Sequence, residues 1–370
     1  MTQTANEALR DGEISHQVNL QRYSNQAVRR FIALLNRASV DLAAQLFIAL
    51  QALEDAPSAT AERLDALLFS VRTINARAYQ AAGLELKTEL LALTKYEAGF
   101  QGQLFRSELP TLVTIAETNA EQVYGAAMSR PFQGRLLSEW ASSIESTAMA
   151  RIRDAVRMGV VENQTTPQIV KRIVGTKTQG YADGIIEIDR RAAESVVRTA
   201  VSHVAGFTRQ RFHEANSDLI KAISWSSTLD LRTTPGCQIR DGLTYTNAAH
   251  PAPIGHSVPW LGGPGALHWC CRSSGVPITK SWKELGIDMA DLPAGTRASM
   301  DGQVASETSY GQWLAKQSAE RQDEVLGPAR GKLLREGGIG FDKFFNDKGR
   351  FYTLGDLERL DAAAFKKAGL

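Results

Sequence analysis

The uneven distribution of loop-forming and metal-ligating residues restricts the fold of this 370-residue chain more than any other feature. Residues 221–280 contain all three cysteines, six of the 12 prolines, three of the six histidines and three of the six tryptophans. Proline removes a backbone donor and breaks helices, so a regular helix cannot continue through this segment. A segment this irregular in a folded chain is usually functional or held by specific contacts. We therefore expect a small, tightly held segment of strands and loops.

Helical patterns occupy the chain before this segment. Two runs of apolar residues at helical spacing extend from about residue 16 to residue 109. Pro57 and Ser58 separate the two runs. Gly83 is a candidate interruption of the second run, which Pro110 ends. Because isolated helices are only marginally stable, we expect a helical hairpin within a bundle, or an arm whose apolar stripe docks onto another subunit.

Helices are also predicted in the middle and at the end of the chain. Asp189 is a candidate N-cap of a helix that extends to about Ala215. On this helix we expect His203 at the edge of the core and His213 at the surface. The pattern of residues 310–326 predicts one continuous helix.

Two parts of residues 221–280 are typical of β-strands. Residues 222–228 and 243–246 are rich in β-branched, aromatic and hydroxyl side chains. A tight loop of turn-forming residues lies between them. A long loop rich in proline and glycine follows the second strand and ends at His268.

Cysteine and histidine residues lie in the tight loop and at the end of the long loop. They are Cys237, His268, Cys270 and Cys271. Thiolates and imidazoles are the ligands of structural zinc sites, and adjacent cysteines rarely face one ion, so the candidate ligands are Cys237, His268 and Cys271. The repeated Cys-x-x-Cys spacing is missing, because position 234 is Thr and position 273 is Ser. Reduced cysteines without a metal or other cofactor are therefore the first expectation, with bound zinc and a Cys237–Cys271 disulfide as alternatives.

A second interpretation treats the same region as a structural knot. Asp230 and Arg232 flank the turn after the first strand and can bond backbone groups that strand pairing leaves free. Arg272, which follows the long loop, can join it to the tight loop through Asp230 or Asp241. The predicted members of the knot are Asp230, Arg232, Asp241, Gly242 and Arg272, together with His268.

Common catalytic motifs are missing from the sequence. It contains no Walker loop, no G-x-S-x-G, no H-E-x-x-H and no G-x-G-x-x-G. Pro264 removes an amide donor that a phosphate-binding loop would need. A Cys–His nucleophile pair at His268 is the enzymatic alternative, but we expect no catalytic residues.

Composition and charge exclude further classes. The chain is 43% hydrophobic, which is typical of a globular protein. A net charge of +2 supplies no electrostatic attraction to nucleic acid or to a membrane surface. The polar first fifteen residues predict no secretory signal, and we expect no apolar run that is long enough to span a membrane.

Several residues in this order resemble the phage Mu F-like family of minor head proteins, also called phage head morphogenesis proteins. The family pattern is a helical Arg-Thr pair, a strand containing Trp, D-x-R-T-C-x-x-C-x-x-x-D-G, a proline-rich loop and H-x-x-C-R-C. The matching residues, within about 145–280, are Arg198-Thr199, Trp225, Asp230-Leu231-Arg232-Thr233, Cys237, Asp241-Gly242 and His268-Trp269-Cys270-Cys271-Arg272. Thr234 and Ser273 stand where the family often has cysteine, which weakens a metal site carried over from it.

The resemblance implies a minor structural protein of a tailed-phage head that acts in head morphogenesis. The implied partner is the portal protein, with the major capsid protein, a scaffold protein and packaged DNA as further candidates. The implied location is the virion, inside the head near the portal, after assembly in the host cytoplasm. The alternatives are a metal-dependent or Cys/His-dependent nuclease or toxin-like effector, and a DNA-associated ejection protein.

These observations predict an α+β, mainly α protein. It has long N-terminal helices, a helical middle, a small β-containing Cys/His loop knot and a helical C-terminal tail. The predicted domains are an N-terminal helical arm or hairpin at 1–110, a Mu F-like head morphogenesis domain at 111–280 and a C-terminal tail at 281–370. Within the second, helices occupy 111–216 and the knot occupies 221–280.

Overall fold

A computed structural model describes residues 5–54, 61–162, 164–281, 283–285, 296–305 and 308–370. The chain is mainly helical and contains a small antiparallel sheet of four strands, so the predicted α+β, mainly α class is confirmed. It divides into two compact units that interleave along the sequence. The first comprises residues 1–21, 94–123 and 205–370, and the second comprises residues 22–93 and 124–204. The three sequence-based domains remain a prediction.

Long helices supply most of the first half of the chain. The helices are α1 (Ala5–Glu54), α2 (Ala61–Glu108), α3 (Ala120–Met128), α4 (Leu137–Val161), α5 (Thr166–Val174) and α6 (Glu187–Ala215). The predicted interruption at Gly83 is wrong, because α2 continues through it and one helical glycine costs only about 1 kcal/mol relative to alanine. The predicted break at Pro57 and Ser58 lies outside the described residues.

The second half of the chain contains the strands and several short helices. The strands are β1 (Ile220–Ser226), β2 (Thr244–Thr246), β3 (Pro253–Ile254), β4 (Ser274–Thr279), β5 (Thr296–Ser299) and β6 (Gly302–Ala305). The helices are α7 (Pro235–Gln238), α8 (Tyr310–Ala315), α9 (Ala319–Leu326), α10 (Pro328–Lys332), α11 (Leu354–Leu360) and α12 (Ala362–Ala368). Strands predicted at 222–228 and 243–246 correspond to β1 and β2, within one or two residues at each end.

The four-stranded sheet has the order β3-β2-β1-β4, and each pair of neighbours is antiparallel. β1 is a central strand whose side chains are mostly buried. Trp225 on β1 and Tyr245 on β2 are fully buried, and Trp260 packs edge-to-face against both rings. This aromatic group holds the proline-rich loop against the sheet within the first unit.

The second unit is a helical bundle with its own apolar core. Leu42, Leu46 and Leu50 on α1 follow a four-residue spacing and are buried. They belong to a core that also includes Val71 of α2, Ile152 of α4, and residues of α5. The bundle therefore buries one apolar stripe of each long helix, as the sequence periodicity predicts.

Helix α1 also bears on the prediction about membranes. One 18-residue window in Ala5–Ala52 has a mean hydropathy of 1.4 and few enough charges to cross a membrane, and 28% of that window is buried. The expectation that no segment reaches this length and apolarity is therefore wrong. Within this helix, Leu42, Leu46 and Leu50 are buried in the core of the second unit.

Two further predictions are wrong in detail. The continuous helix predicted over 310–326 is two helices, because Ser318 accepts a hydrogen bond from the Arg321 amide and caps α9 as a new start. His213 is buried between aromatic rings rather than at the surface. Burial lowers the pKa of His213 to about 3, so its imidazole is neutral.

We predict that Ile152→Ala lowers the free energy of unfolding by about 2–5 kcal/mol, because it leaves a cavity in the core of the second unit. Val161→Ala, at the exposed end of α4, is the matched control and should change stability by less than about 0.5 kcal/mol. Urea unfolding followed by circular dichroism measures both. Equal losses for the two variants would contradict this core assignment.

Candidate metal centre and structural knot

The pairing of β1 with β4 determines where the site forms. The last residue of β1, Ser226, pairs with the first residue of β4, Ser274. Because the strands are antiparallel, the chain that leaves β1 and the chain that enters β4 lie side by side at one end of the sheet. The first segment leads through a turn to Cys237 on α7, and the second contains His268 and Cys271. Sequence-distant cysteine and histidine side chains therefore meet.

The side chains of Cys237, His268 and Cys271 form a compact group. Sγ of Cys237 lies 3.2 Å from Nε2 of His268 and 3.7 Å from Sγ of Cys271. All three potential ligand atoms lie within 4.8 Å of one another. The Cys237 and Cys271 residues are only 1% and 0% exposed. This group can bind a metal ion.

Two of the three ligand separations, those that involve Cys237, fit a tetrahedral metal site. Zinc–sulfur bonds of about 2.3 Å and zinc–nitrogen bonds of about 2.0 Å give ligand separations of about 3.8 Å for two sulfurs and about 3.5 Å for sulfur and nitrogen. The separations involving Cys237 are close to these values. The imidazole is also oriented suitably, because its Nδ1 lies 2.8 Å from the carbonyl oxygen of Trp269 and can donate to it, which leaves Nε2 for the thiols.

The pKa values of the two thiols change in opposite directions. The hydrogen bond with Cys271, together with burial, raises the pKa of Cys237. The same hydrogen bond lowers the pKa of Cys271 well below its ordinary value, and His268 adds to this effect against the influence of burial. Burial alone would lower the pKa of His268, but its contacts with Cys271 raise it. The contact with Cys237 and the contact with His268 therefore both favour the thiolate form of Cys271.

Neighbouring residues explain part of the departure from the expected cysteine spacing. The side chains of Thr234 and Ser273 both face Cys237 and oppose the rise in its pKa. Hydroxyl groups therefore lie beside the cluster at the two positions where a repeated Cys-x-x-Cys pattern would have cysteine. All three cysteines are free. Cys270 is partly exposed, has a positive φ of 55° and is not part of the ligand group.

An ion pair joins the turn after β1 to the segment that enters β4. Nη1 and Nη2 of Arg272 donate to Oδ2 and Oδ1 of Asp230 at 2.6 and 2.7 Å, a bidentate arrangement. Burial alone would raise the pKa of Asp230, but Arg272 and further donors hold it below its ordinary value. Arg272 thus meets Asp230 rather than Asp241, one of the two options that the sequence left open.

Asp241 connects the sheet to the C-terminal helices of the first unit. Its Oδ1 accepts from the amide of Ser227, and its Oδ2 accepts from the amide of Tyr310, both at 2.7 Å. The next residue, Gly242, has a φ of 81° and donates its amide to the carbonyl of Trp225 at 2.8 Å. A left-handed turn of this kind favours glycine, so Gly242 returns the chain toward β2.

The remaining predicted knot residue lies at the periphery. The Arg232 side chain is 84% exposed, and its Nε lies 3.8 Å from Asp230. Its backbone amide donates to Asp230, as expected for a turn. Arg232 therefore contributes mainly backbone geometry.

Three polar residues of the site were not predicted from the sequence. The Tyr310 hydroxyl donates to the Asp230 carbonyl at 2.9 Å, and the Gln238 amide donates to the Thr233 carbonyl at 2.6 Å. Buried Arg240 donates to the carbonyls of Gly236 and Pro259 and holds the proline-rich loop against α7. Serine and glutamine at 309 and 312 signal the helix that begins at Tyr310, but no local pattern signals its distant contact with Asp230.

No family model matches the chain, and neither a curated protein nor a solved structure matches it.

We predict that Asp230→Asn lowers the free energy of unfolding by about 1.5–3 kcal/mol at neutral pH, because it weakens charge-assisted hydrogen bonds to Arg272. A carboxylate whose pKa is depressed in the folded state stabilises above its unfolded pKa of about 3.9 and loses this contribution as the pH falls through its folded pKa. The cost of the substitution should therefore shrink on acidification, as measured by denaturant unfolding.

Arg232→Gln is the control for this measurement. Its side chain is exposed, so its effect should stay within about 0.5 kcal/mol at every pH. A cost for Arg232→Gln equal to that of Asp230→Asn would contradict the assignment of the ion pair as the main cross-link.

Proposed function

We propose that the protein is a minor structural component of a tailed-phage head, which acts in head morphogenesis in association with the portal protein. The observation that carries the proposal is the convergence of the two motif segments on one cross-linked site. The order of residues that resembles the Mu F-like family thus coincides with a compact structural unit. This proposal includes a location inside the head near the portal.

The chemistry of the site supports a structural role. A nucleophilic thiol must reach a substrate, but the Cys237 and Cys271 side chains are buried. Both oxygens of Asp230 accept from Arg272, and both oxygens of Asp241 accept from backbone amides. These groups hold chain segments together, which is the role expected of a knot in a component that must keep its shape during assembly.

We further propose that zinc is the metal held by Cys237, His268 and Cys271. Two sulfurs and an imidazole nitrogen are a donor set that zinc prefers, and the site would use the ion as a cross-link between α7 and the entry to β4. Within the chain, the carbonyl of Trp269 orients the imidazole, and the neighbouring groups favour the thiolate form of Cys271, which is the form that binds a cation.

Zinc analysis tests the metal proposal. Purified protein should contain about one zinc per chain by elemental mass spectrometry, and Cys271→Ser should bind zinc at least about tenfold more weakly. Cys270→Ser is the matched control and should retain the metal, because Cys270 lies outside the ligand group. A chelator should lower the melting temperature of the wild type but leave that of Cys271→Ser unchanged. Metal-free wild-type protein, prepared with zinc present throughout, would overturn the proposal.

Quantitative mass spectrometry of purified virions tests the head-component proposal. Nuclease-treated particles of the phage that encodes the chain should contain it at a small number of copies per portal ring, with the portal protein as internal standard. Its presence in DNA-free proheads would distinguish it from a protein carried by DNA.

Absence from both virions and proheads would overturn the proposal of a stable head component. The enzymatic alternative then makes a different prediction: His268→Ala would abolish a measurable turnover while the fold is retained. Under the structural proposal, His268→Ala lowers stability or incorporation.

A further inference from the structure

Four charged or titratable side chains form a second buried cluster in the first unit, separate from the cysteine group. Glu13 and His16 lie on α1, Glu97 lies on α2, and Arg209 lies on α6. All four are at most 3% exposed. Buried charged groups are costly unless they neutralise one another, so their protonation matters for how α1 is held.

The contacts connect three helices and a strand. Nε of Arg209 lies 2.8 Å from Oε2 of Glu13, and its Nη2 lies 3.6 Å from Oε2 of Glu97. Nη1 of Arg209 donates to Oγ of Ser274, at the start of β4, at 2.8 Å. Nε2 of His16 contacts Oε1 of Glu97. The residues of α1 before position 22 are thus attached to α2 and α6 through one polar network.

The charges in this network do not balance without an added proton. Glu13 and Glu97 supply two carboxylates, whereas Arg209 supplies one permanent positive charge. His213, which faces Arg209 on α6, is neutral because burial lowers its pKa to about 3. One further proton, on Glu13 or on His16, makes the cluster neutral.

Two aromatic rings and one amide also face the cluster, and none of the three carries a charge. The His16 ring stacks on Phe100, with 3.7 Å between ring centroids, and Tyr96 lies beside it. The amide of Gln101 faces Glu13 and is uncharged.

We propose that the cluster is a proton-dependent clamp, which holds one proton in the folded chain and releases its grip on the start of α1 when that proton leaves. Residues Ala5–Gln21 are the segment held by the clamp. The inference is independent of the metal proposal, because none of the four side chains belongs to the Cys237 group.

The direction of the pH dependence follows from burial. Burial raises the pKa of Glu13, Glu97 adds to the rise, and Arg209 opposes it. In the opened segment, a free glutamate has a pKa of about 4.3 and a free histidine about 6.5. Above about pH 6.5, opening therefore releases the proton that the clamp holds, so the grip weakens as the pH rises.

Amide hydrogen exchange of the full chain, followed by mass spectrometry and corrected for intrinsic rates, tests the clamp. Loss of one proton raises the opening constant of Ala5–Gln21 by up to about tenfold per pH unit. We expect a rise of at least about threefold between pH 6.5 and 8.5, well within that limit. A smaller rise overturns the proposal.

Three variants locate the proton. Glu13→Gln leaves one carboxylate and one guanidinium, so the cluster is neutral without the added proton. The rise of the opening constant with pH should therefore disappear in this variant. His16→Gln should keep the rise and extend it below pH 6.5, because only the carboxyl can then hold the proton. Glu121→Gln, at a largely exposed carboxylate in the same unit, should behave as the wild type.

If Glu13→Gln does not fold, the pH dependence of hydrogen exchange in His16→Gln and in the wild type still tests the proposal. Between pH 5.5 and 6.5 the opening constant of Ala5–Gln21 should rise several-fold in His16→Gln, whereas that of the wild type should rise by about twofold or less. A wild-type slope that persists unchanged in a folded Glu13→Gln protein also overturns the proposal, because the proton then belongs to another group.

Discussion

The antiparallel pairing of β1 with β4 is the contact on which the structural knot depends. It brings the turn after β1 beside the segment that enters β4, so that Asp230 can meet Arg272 and Cys237 can meet Cys271. Each cross-link closes a long loop, and a long loop costs little more entropy to close than a short one. Once the strands pair, a few short-range polar contacts hold the otherwise irregular proline-rich loop in place.

Buried charge is used in two opposite ways in the first unit. Asp230 meets a bidentate guanidinium, which outweighs the effect of burial and keeps the carboxylate ionised. Glu13 shares one guanidinium with a second carboxylate, and burial prevails, so its pKa rises. The first arrangement loses stability on acidification, whereas the second loses it as the pH rises. The difference follows from the deeper burial of Glu13 and from the larger number of hydrogen-bond donors that face Asp230.

Much of the secondary structure could be predicted from local patterns. The helical spacing of Leu42 and Leu46, the strand around Trp225 and the helix start at Tyr310 are all visible in the sequence. The break at Ser318 was missed, because an apolar pattern that runs on past a cap does not show that the helix starts again. The burial of His213 was missed because its environment comes from distant aromatic residues.

Local patterns specify the long helices, the position of the irregular segment and the set of cysteine, histidine and acidic residues within it. These features depend on neighbours within a few positions, where spacing and turn chemistry act. Which residues meet depends on the folded chain: Arg272 contacts Asp230, Tyr310 contacts Asp241, and Arg209 contacts Glu13. Those choices depend on strand pairing and helix packing between residues far apart in the chain, and burial then determines the protonation of each group.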